Sequence, residues 1–215
     1  KFNFNSFDVT SAASKGLGFN ASANGFSTID PGSMTLIKTL TASSSATLSF
    51  VDGSSNVVFD NTYPIYMFKF INIHPATNDS AFTFNGSTDT GSNYNVTKSS
   101  TAFNSYHREN GSEASLAYQS GHDLSQGTGF QKLSTGIGND ADDNGSGTLF
   151  IFNPSSTTFV KHFLANSNRS SGTFTINDFI AGYFNTTSAV DAIQFKFASG
   201  NIDDGIVKLY GIKDS

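Results

Sequence analysis

Apolar and polar residues alternate along most of the chain from residue 36 onward. Ala46, Leu48 and Phe50 alternate with polar residues, as in a strand with one buried face. Residues 63–73 (YPIYMFKFINI) are apolar on both faces, a pattern typical of a central strand that is covered on both sides. No helical period longer than two turns and no internal repeat is present, so the pattern predicts an all-β chain.

Turn residues separate these apolar runs. Asn110-Gly111 lies between alternating runs at 101–108 and 113–119 and predicts a β-hairpin, since Asn-Gly tolerates positive φ. A strand around Phe82 and Phe84 is expected to end at Asn85-Gly86. The remaining elements are a long Gly/Ser/Asp-rich loop at 120–147, strands at 149–152, 157–165, 172–177 and 179–185, and a C-terminal hairpin of 193–197 with 206–212.

About nine to eleven short strands at this spacing predict an antiparallel, jelly-roll-like β-sandwich over residues 36–215. Residues 1–35 are predicted to form an irregular, extended arm, because Ser, Ala, Gly and Asn dominate there. The arm also carries apolar rings that a plain linker does not need, at Phe2, Phe4, Phe7, Phe19 and Phe26. These rings are expected to lie across the arm's own domain or to dock on a neighbouring subunit.

Composition narrows the classes of partner. Charged residues make up 13% of the chain, the net charge is −5, and the 12 Lys and Arg are scattered. Nucleic acid is therefore not expected as a partner, because binding to phosphates depends on clustered cations. No apolar run approaches the roughly 20 residues of a membrane span, so membrane insertion is not expected either. With no Cys, neither a disulfide framework nor thiol catalysis is available.

One local motif matches a known ligand pattern. Asp140, Asp142 and Asn144, followed by Gly145, fit the first six positions of a calcium-binding loop. The twelfth position is Ile151 instead of the bidentate Glu, so the motif lacks an important charged ligand. An acidic turn before a strand explains the same residues, and we expect no cofactor other than calcium at this loop.

Candidate catalytic residues are sparse. The four histidines, His74, His107, His122 and His162, stand too far apart in sequence for a paired metal motif. No nucleophile elbow and no phosphate-binding loop is present. We therefore expect a non-enzymatic protein. Tyr side chains could serve as stacking platforms for sugars or as ordinary strand residues; these are Tyr94, Tyr106, Tyr118 and Tyr183.

Several stretches of the C-terminal half resemble virion structural proteins of marine tailed bacteriophages. They are residues 138–143 (GNDADD), 149–163 (LFIFNPSSTTFVKHF), 181–195 (AGYFNTTSAVDAIQF) and 199–212 (SGNIDDGIVKLYGI). The resemblance covers roughly residues 35–213 and includes no catalytic motif. It implies a location in the virion, other virion proteins as partners, and a homo-oligomer, for which we expect a trimer.

Two functions follow as expectations. The first is a structural protein that decorates or cements a phage capsid or forms part of a tail appendage. The alternative is a receptor- or glycan-binding module of a phage fibre or a secreted bacterial adhesin, which predicts a concave face with exposed Tyr and amide side chains. A glycan-cleaving enzyme would instead need two close carboxyls in a cleft, one of them with a raised pKa.

Overall fold

The computed structural model describes residues 16–20, 22, 25–29 and 32–213. These residues form strands and loops and include no helix, so none of them forms a helix that could cross a membrane. The strands are β1 (Gly16–Phe19), β2 (Phe26–Ile29), β3 (Met34–Thr41), β4 (Leu48–Val51), β5 (Ile65–Pro75), β6 (Ser80–Ser87), β7 (Lys98–Arg108), β8 (Ala114–Tyr118), β9 (Gln131–Ile137), β10 (Gly145–Phe152), β11 (Lys161–Ser171), β12 (Phe174–Phe184), β13 (Ala192–Phe197) and β14 (Ile202–Ile212).

The main body is a β-sandwich with jelly-roll topology. One sheet has the order β3-β14-β5-β10-β11-β12-β7-β8, and the facing sheet has the order β4-β13-β6-β9. Eight strands, β3-β14-β5-β10 opposite β4-β13-β6-β9, have the order of two interlocked Greek keys, because the chain keeps crossing from one sheet to the other. All pairings are antiparallel. The predicted fold class is confirmed.

Two long hairpins enlarge only one of the sheets. The β7–β8 hairpin is inserted between β6 and β9, and the β11–β12 hairpin is inserted between β10 and β13. Strand β12 pairs with β7 along its full length, so the two insertions join each other in one continuous sheet. We call these four strands the extension. It makes one side of the sandwich twice as wide as the other.

Phenylalanine rings fill the space between the two sheets. Phe195 of β13 lies 5.2 Å from Phe68 of β5 and 5.7 Å from Phe82 of β6, measured between ring centroids. Phe50 and Phe84 complete the contacts around it. Phe suits this layer because it buries a large area and has no polar atom to satisfy. The core therefore forms from aromatic residues in a chain that is poor in aliphatic ones.

Strand β5 is central, as predicted, but its outer face is not fully covered. Ile71 lies on that face and is exposed. Asn72 adopts a left-handed backbone with φ of 51°, and the pairing with β14 shifts register at this point. This bulge turns Ile73 into the core beside Phe70, although simple alternation placed Ile73 on the opposite face.

Several local predictions are wrong. The two C-terminal strands are not a hairpin, since β13 pairs with β4 and β6 in the small sheet while β14 pairs with β3 and β5 in the large one. Asn85-Gly86 lies inside β6 instead of ending it. The predicted loop at 120–147 contains β9 and the start of β10, and 172–185 forms one strand, β12, instead of two.

The predicted arm is not wholly irregular. Strands β1 and β2 form a short antiparallel hairpin in which Phe19 pairs with Phe26. The two rings stack with centroids 5.1 Å apart. Phe2, Phe4 and Phe7 lie outside the described residues.

We predict that Phe195→Ala lowers the free energy of unfolding by about 3–5 kcal/mol, because it removes a ring that contacts both sheets and leaves a cavity. Denaturant-induced unfolding measures this loss. Phe159 is a matched control, since its ring is 71% exposed in a loop. Phe159→Ala should change stability by less than about 0.5 kcal/mol, and equal losses in the two variants would contradict the proposed role of the aromatic layer.

Candidate functional site

The extension presents one face to the core and one face outward. Along β11, buried residues alternate with exposed ones, so Phe163 and Ala165 point inward while Leu164 and Asn166 point outward. Residues that pair directly across neighbouring strands point to the same face, so the pairing shows which residues of β10 and β12 point outward. Leu164 is opposite Phe150 on one side and Ala181 on the other. The outward residues therefore form rows that run across the sheet.

The centre of the outer face is apolar. Phe103 and Phe179, on adjacent strands, stack with ring centroids 4.9 Å apart. Together with Phe150 and Leu164 they line a depression of about 360 Å³, and we call these four residues the outer patch. Leu164 is 49% exposed and Phe103 is 44% exposed. Exposed apolar side chains grouped in this way mark interaction surfaces.

The apolar row continues beyond the extension. Starting from Leu164 and Phe150, each further residue of the row is the cross-strand partner of the one before it. These residues lie on β5, β14 and β3 and are Met67, Tyr210 and Leu36. Leu36, at the far edge, is again exposed. The outer face of the large sheet thus carries an apolar stripe from the extension to β3.

The two ends of the outer patch are more polar. At one end a second depression is lined by His162 and Tyr183, whose rings lie 5.9 Å apart, and by hydroxyl side chains of Ser99 and Thr101. At the other end a third depression is lined by amide and hydroxyl groups, including Asn168 and Asn177. Both ends supply donors and acceptors beside apolar surface, an arrangement that suits either a protein partner or a sugar.

The edge of the extension is an open strand. Strand β8 pairs with β7 on one side, and all five of its residues are exposed. Leu116 and Tyr118 point to the same outer face as Phe103, since Phe103 is opposite Tyr118 and Ser105 is opposite Leu116. An exposed edge strand with apolar side chains can add strands from another chain.

The inner face of the extension holds a buried polar cluster. Asp178 of β12 faces Arg169 of β11, with Oδ2 3.6 Å from the guanidinium Nε. His122 Nδ1 lies 4.0 Å from Asp178 Oδ1, and Asn104 Nδ2 donates a hydrogen bond of 3.4 Å to the same oxygen. Arg169 also donates to the carbonyl of Gly136. The cluster therefore links the extension to β9 of the small sheet.

Burial controls the protonation of this cluster. Desolvation raises the pKa of Asp178, and the attraction of Arg169 offsets this only in part. Desolvation likewise lowers the pKa of His122, against the attraction of Asp178. A carboxyl with a raised pKa is one mark of a catalytic site, but Asp178 is buried and is contacted by a cation, an imidazole and an amide. We interpret the cluster as a structural link between the two sheets.

The residues of the predicted calcium loop lie in a surface turn. The Asp143 N–H donates 2.9 Å to the carbonyl of Asp140, and the Asn144 N–H donates 3.0 Å to Ser170 Oγ. Gly145 begins β10 instead of forming the sharp turn of a calcium loop. Across the described residues, no three His, Asp or Glu side chains stand together as a metal site. Calcium binding by Asp140, Asp142 and Asn144 stays a prediction.

The histidines and tyrosines singled out in the sequence are dispersed. His162 and Tyr183 meet on the outer face, and His107 lies beside the polar end of the same face. His74 contacts the carbonyl of Asp140 at 3.2 Å. Tyr118 is exposed and donates to Asp123, whereas the Tyr106 hydroxyl donates 2.9 Å to Glu113. The structure therefore brings two of the four predicted tyrosines to a depression with a histidine, Tyr183 with His162 and Tyr106 with His107.

Sequence reasoning missed most of the outer patch. Phe103, Phe150, Leu164 and Phe179 come from four strands, and each alone is an ordinary strand residue. The sequence contained one signal for this surface, the continuous apolar run of β10. Leu149 and Ile151 of this run are buried, so Phe150 between them points outward. The Arg169–Asp178 pair gave no sequence signal, because the two residues are brought together by the β11–β12 register.

We predict that Arg169→Met destabilises the fold by about 3–5 kcal/mol, because it leaves the Asp178 carboxylate buried without its cation. The loss should be smaller at about pH 4 than at about pH 7, because the Asp178 carboxyl of the variant is protonated more often, and is less often a buried charge, at the lower pH. A carboxyl whose folded pKa is raised stabilises the fold at low pH, and this stability is lost as the pH rises through the folded pKa. Urea unfolding at both values measures the difference.

The double variant Arg169→Met with Asp178→Asn is the control for this prediction. It removes both charges, so it should recover most of the stability that Arg169→Met loses. A double variant that is no more stable than Arg169→Met would show that the ion pair is not the cause.

Known proteins add no relative to this picture. No protein-family model, no curated protein and no solved structure matches the chain. The outer face and the buried cluster are therefore the observations on which a functional proposal rests.

Proposed function

We propose that this chain is a non-enzymatic structural subunit of a tailed-phage particle, which decorates or cements the capsid or forms part of a tail appendage. The observation that carries the proposal is the outer patch, which is apolar, partly exposed and set on one continuous sheet. Its partners are further copies of this chain and other virion proteins.

The construction of the extension supports this proposal. A jelly roll needs only eight strands, and four further strands build a wider outer face. These strands bury an ion pair and their own inner side chains against β9. These contacts attach the extension to the small sheet and support its outer face from behind, as an assembly interface requires.

The character of the surface also supports the proposal. Among the residues that the structure describes, no charged side chain lines the depression at the outer patch. Association through this patch would depend on apolar burial and would be little affected by salt. The jelly roll occurs in viral capsid proteins and in lectins, and this analogy at the level of the fold favours both the leading and the alternative function.

We predict that the protein self-associates through the outer patch and that Leu164→Lys shifts it towards the monomer. The reason is that a buried, unpaired ammonium opposes the contact. Sedimentation velocity over a range of concentrations measures the shift. Phe159→Lys is the matched control, since it places the same charge at an exposed apolar position in the loop between β10 and β11, outside the outer patch. A wild-type protein that is monomeric throughout, or equal effects of the two variants, would contradict association through this patch.

A specific observation favours the alternative, a receptor- or glycan-binding module. Tyr183 and His162 lie side by side in a depression that also has the hydroxyls of Ser99 and Thr101. An aromatic ring next to hydroxyl groups can stack on a sugar ring and hydrogen-bond its hydroxyls.

For that alternative we predict glycan binding that Tyr183→Ala weakens at least about tenfold, a loss of about 1.4 kcal/mol. A glycan array followed by titration calorimetry measures it. Tyr118→Ala, at an exposed tyrosine on the edge strand, is the control and should leave the affinity unchanged. Equal loss in both variants, or no binding to any glycan, would exclude this depression as the glycan site.

A further inference from the structure

Two lysines are fully buried at one end of the sandwich. Lys161, Phe184 and Lys98 are successive cross-strand partners on β11, β12 and β7, and all three point into the core. Lys161 Nζ donates to the backbone carbonyls of Thr186 and Ser188, which lie in the loop after β12. Lys161 therefore ties down a loop, and its neighbour Lys98 has a different partner.

Lys98 reaches across the sandwich to a side-chain amide. Its Nζ lies 2.5 Å from Oδ1 of Asn85, a fully buried residue of β6 in the small sheet. The same Nζ donates 2.7 Å to the carbonyl of Val96. The ring of Phe184 lies 5.6 Å away. An amine from one sheet thus meets a carboxamide from the other in a site closed to solvent.

The surroundings of Lys98 favour its neutral, nucleophilic form. Desolvation lowers the pKa of Lys98 to about 7. Both described hydrogen-bond acceptors of Nζ are amide oxygens without net charge. A neutral amine keeps a free electron pair, which an ammonium does not have. Of these two carbonyl groups, the side-chain carboxamide of Asn85 is the one that can lose its nitrogen as ammonia without a break in the backbone.

The contacts of Asn85 prepare that carboxamide for attack. Oδ1 accepts a hydrogen bond of 2.8 Å from the backbone N–H of Gly86, which can stabilise negative charge as it develops on the oxygen. Nδ2 donates to the carbonyls of Tyr94 and Thr128, at 2.7 and 3.0 Å. These bonds hold the amide group in one orientation, so the reacting atoms stay in place.

We propose that Lys98 and Asn85 react to form an intramolecular amide bond that joins the two sheets covalently. The Nζ electron pair attacks Cγ of Asn85, and the carbonyl π electrons move to Oδ1. The Gly86 N–H donates a hydrogen bond to this negatively charged oxygen. One proton passes from Nζ to Nδ2. The Cγ–Nδ2 bond then breaks, the carbonyl re-forms, and ammonia leaves. The step requires no oxidant, no reductant and no other co-reactant.

Such a bond would link the small sheet covalently to the large sheet at one end of the sandwich. Strands β6 and β7 follow each other in sequence but lie in opposite sheets, and residues 88–97 connect them. An amide between Asn85 and Lys98 bridges this crossover at the core. The inference does not depend on the outer patch, so the failure of either proposal leaves the other standing.

Intact-mass spectrometry of the full-length protein tests the bond. We expect the folded protein to be lighter than its sequence mass by one ammonia, either when freshly purified or after incubation at mildly alkaline pH. Protein that still has its sequence mass when it is transferred to denaturant should keep that mass, since the two side chains then no longer meet. A folded protein that keeps its full mass after incubation overturns the proposal.

Peptide mapping locates the loss and separates the bond from ring closure at Asn85-Gly86, which also releases ammonia. Trypsin cleaves after unmodified lysine, so the linked protein should resist cleavage at Lys98, even when denatured, and yield one peptide over 70–108. Lys161 is also buried in the fold, but its described hydrogen-bond partners are backbone carbonyls, so it should be cleaved normally. Loss of ammonia with normal cleavage at Lys98 would overturn the proposal.

Two variants complete the test. Lys98→Met and Asn85→Ala should each have their full sequence mass under the incubation that modifies the wild type. Asn85→Asp offers a carboxyl in place of the amide, so the linked product of this variant should be lighter by water instead of ammonia. Loss of ammonia that persists in Lys98→Met would assign the chemistry to Asn85 alone and contradict the cross-link.

Discussion

The ring of Phe195 contacts rings from both sheets, and the packing of the sandwich depends on this aromatic layer. Phe50, Phe82 and Phe84 come from the small sheet, whereas Phe68 comes from the large one. Packing of these rings sets the separation and alignment of the sheets. Once the sheets are aligned, the side chains of Lys98 and Arg169 can span the gap and meet their partners at opposite ends.

The inner face of the extension is divided between apolar and polar contacts. At one end, Phe163 of β11 and Phe184 of β12 pack on Phe84 of β6, so the aromatic layer continues beneath the extension. At the other end, Arg169 and Asp178 point inward, and an ion pair and hydrogen bonds to β9 hold the sheets together. The outer face is apolar at the outer patch, although the outward side of an antiparallel sheet is commonly polar. This exposed apolar surface is the main physical reason to assign a binding role to the outer face.

The sequence predicted the fold class well because alternation and turn residues are local signals. The β7–β8 hairpin at Asn110-Gly111 is confirmed, and Gly111 has the positive φ of 71° expected in such a turn. The same dipeptide at 85–86 misled the prediction, because there Asn85 is held by buried contacts and Gly86 has no positive φ. Tertiary contacts override the local preference of Asn85-Gly86 for a turn.

The candidate sites were harder to predict than the strands. Ile193–Phe197 and Ile206–Ile212 alternate clearly, yet alternation does not tell which sheet a strand joins, so their pairing was wrong. The outer patch, the Arg169–Asp178 pair and the Lys98–Asn85 contact all depend on long-range register. Such contacts follow from the order of strands, which no local pattern contains.

The pairing of β3 with β14 has a mechanical consequence. Met34, where β3 begins, is opposite Ile212, where β14 ends, and the Lys213 N–H donates to the carbonyl of Ser33. The chain thus enters and leaves the sandwich at one corner. Tension between these two points would separate the strands one hydrogen bond at a time, as a zipper opens. Tension between that corner and the outer patch would instead act across several strand pairs at once. The hydrogen bonds of these pairs would share the load, so the sandwich would resist this tension more strongly.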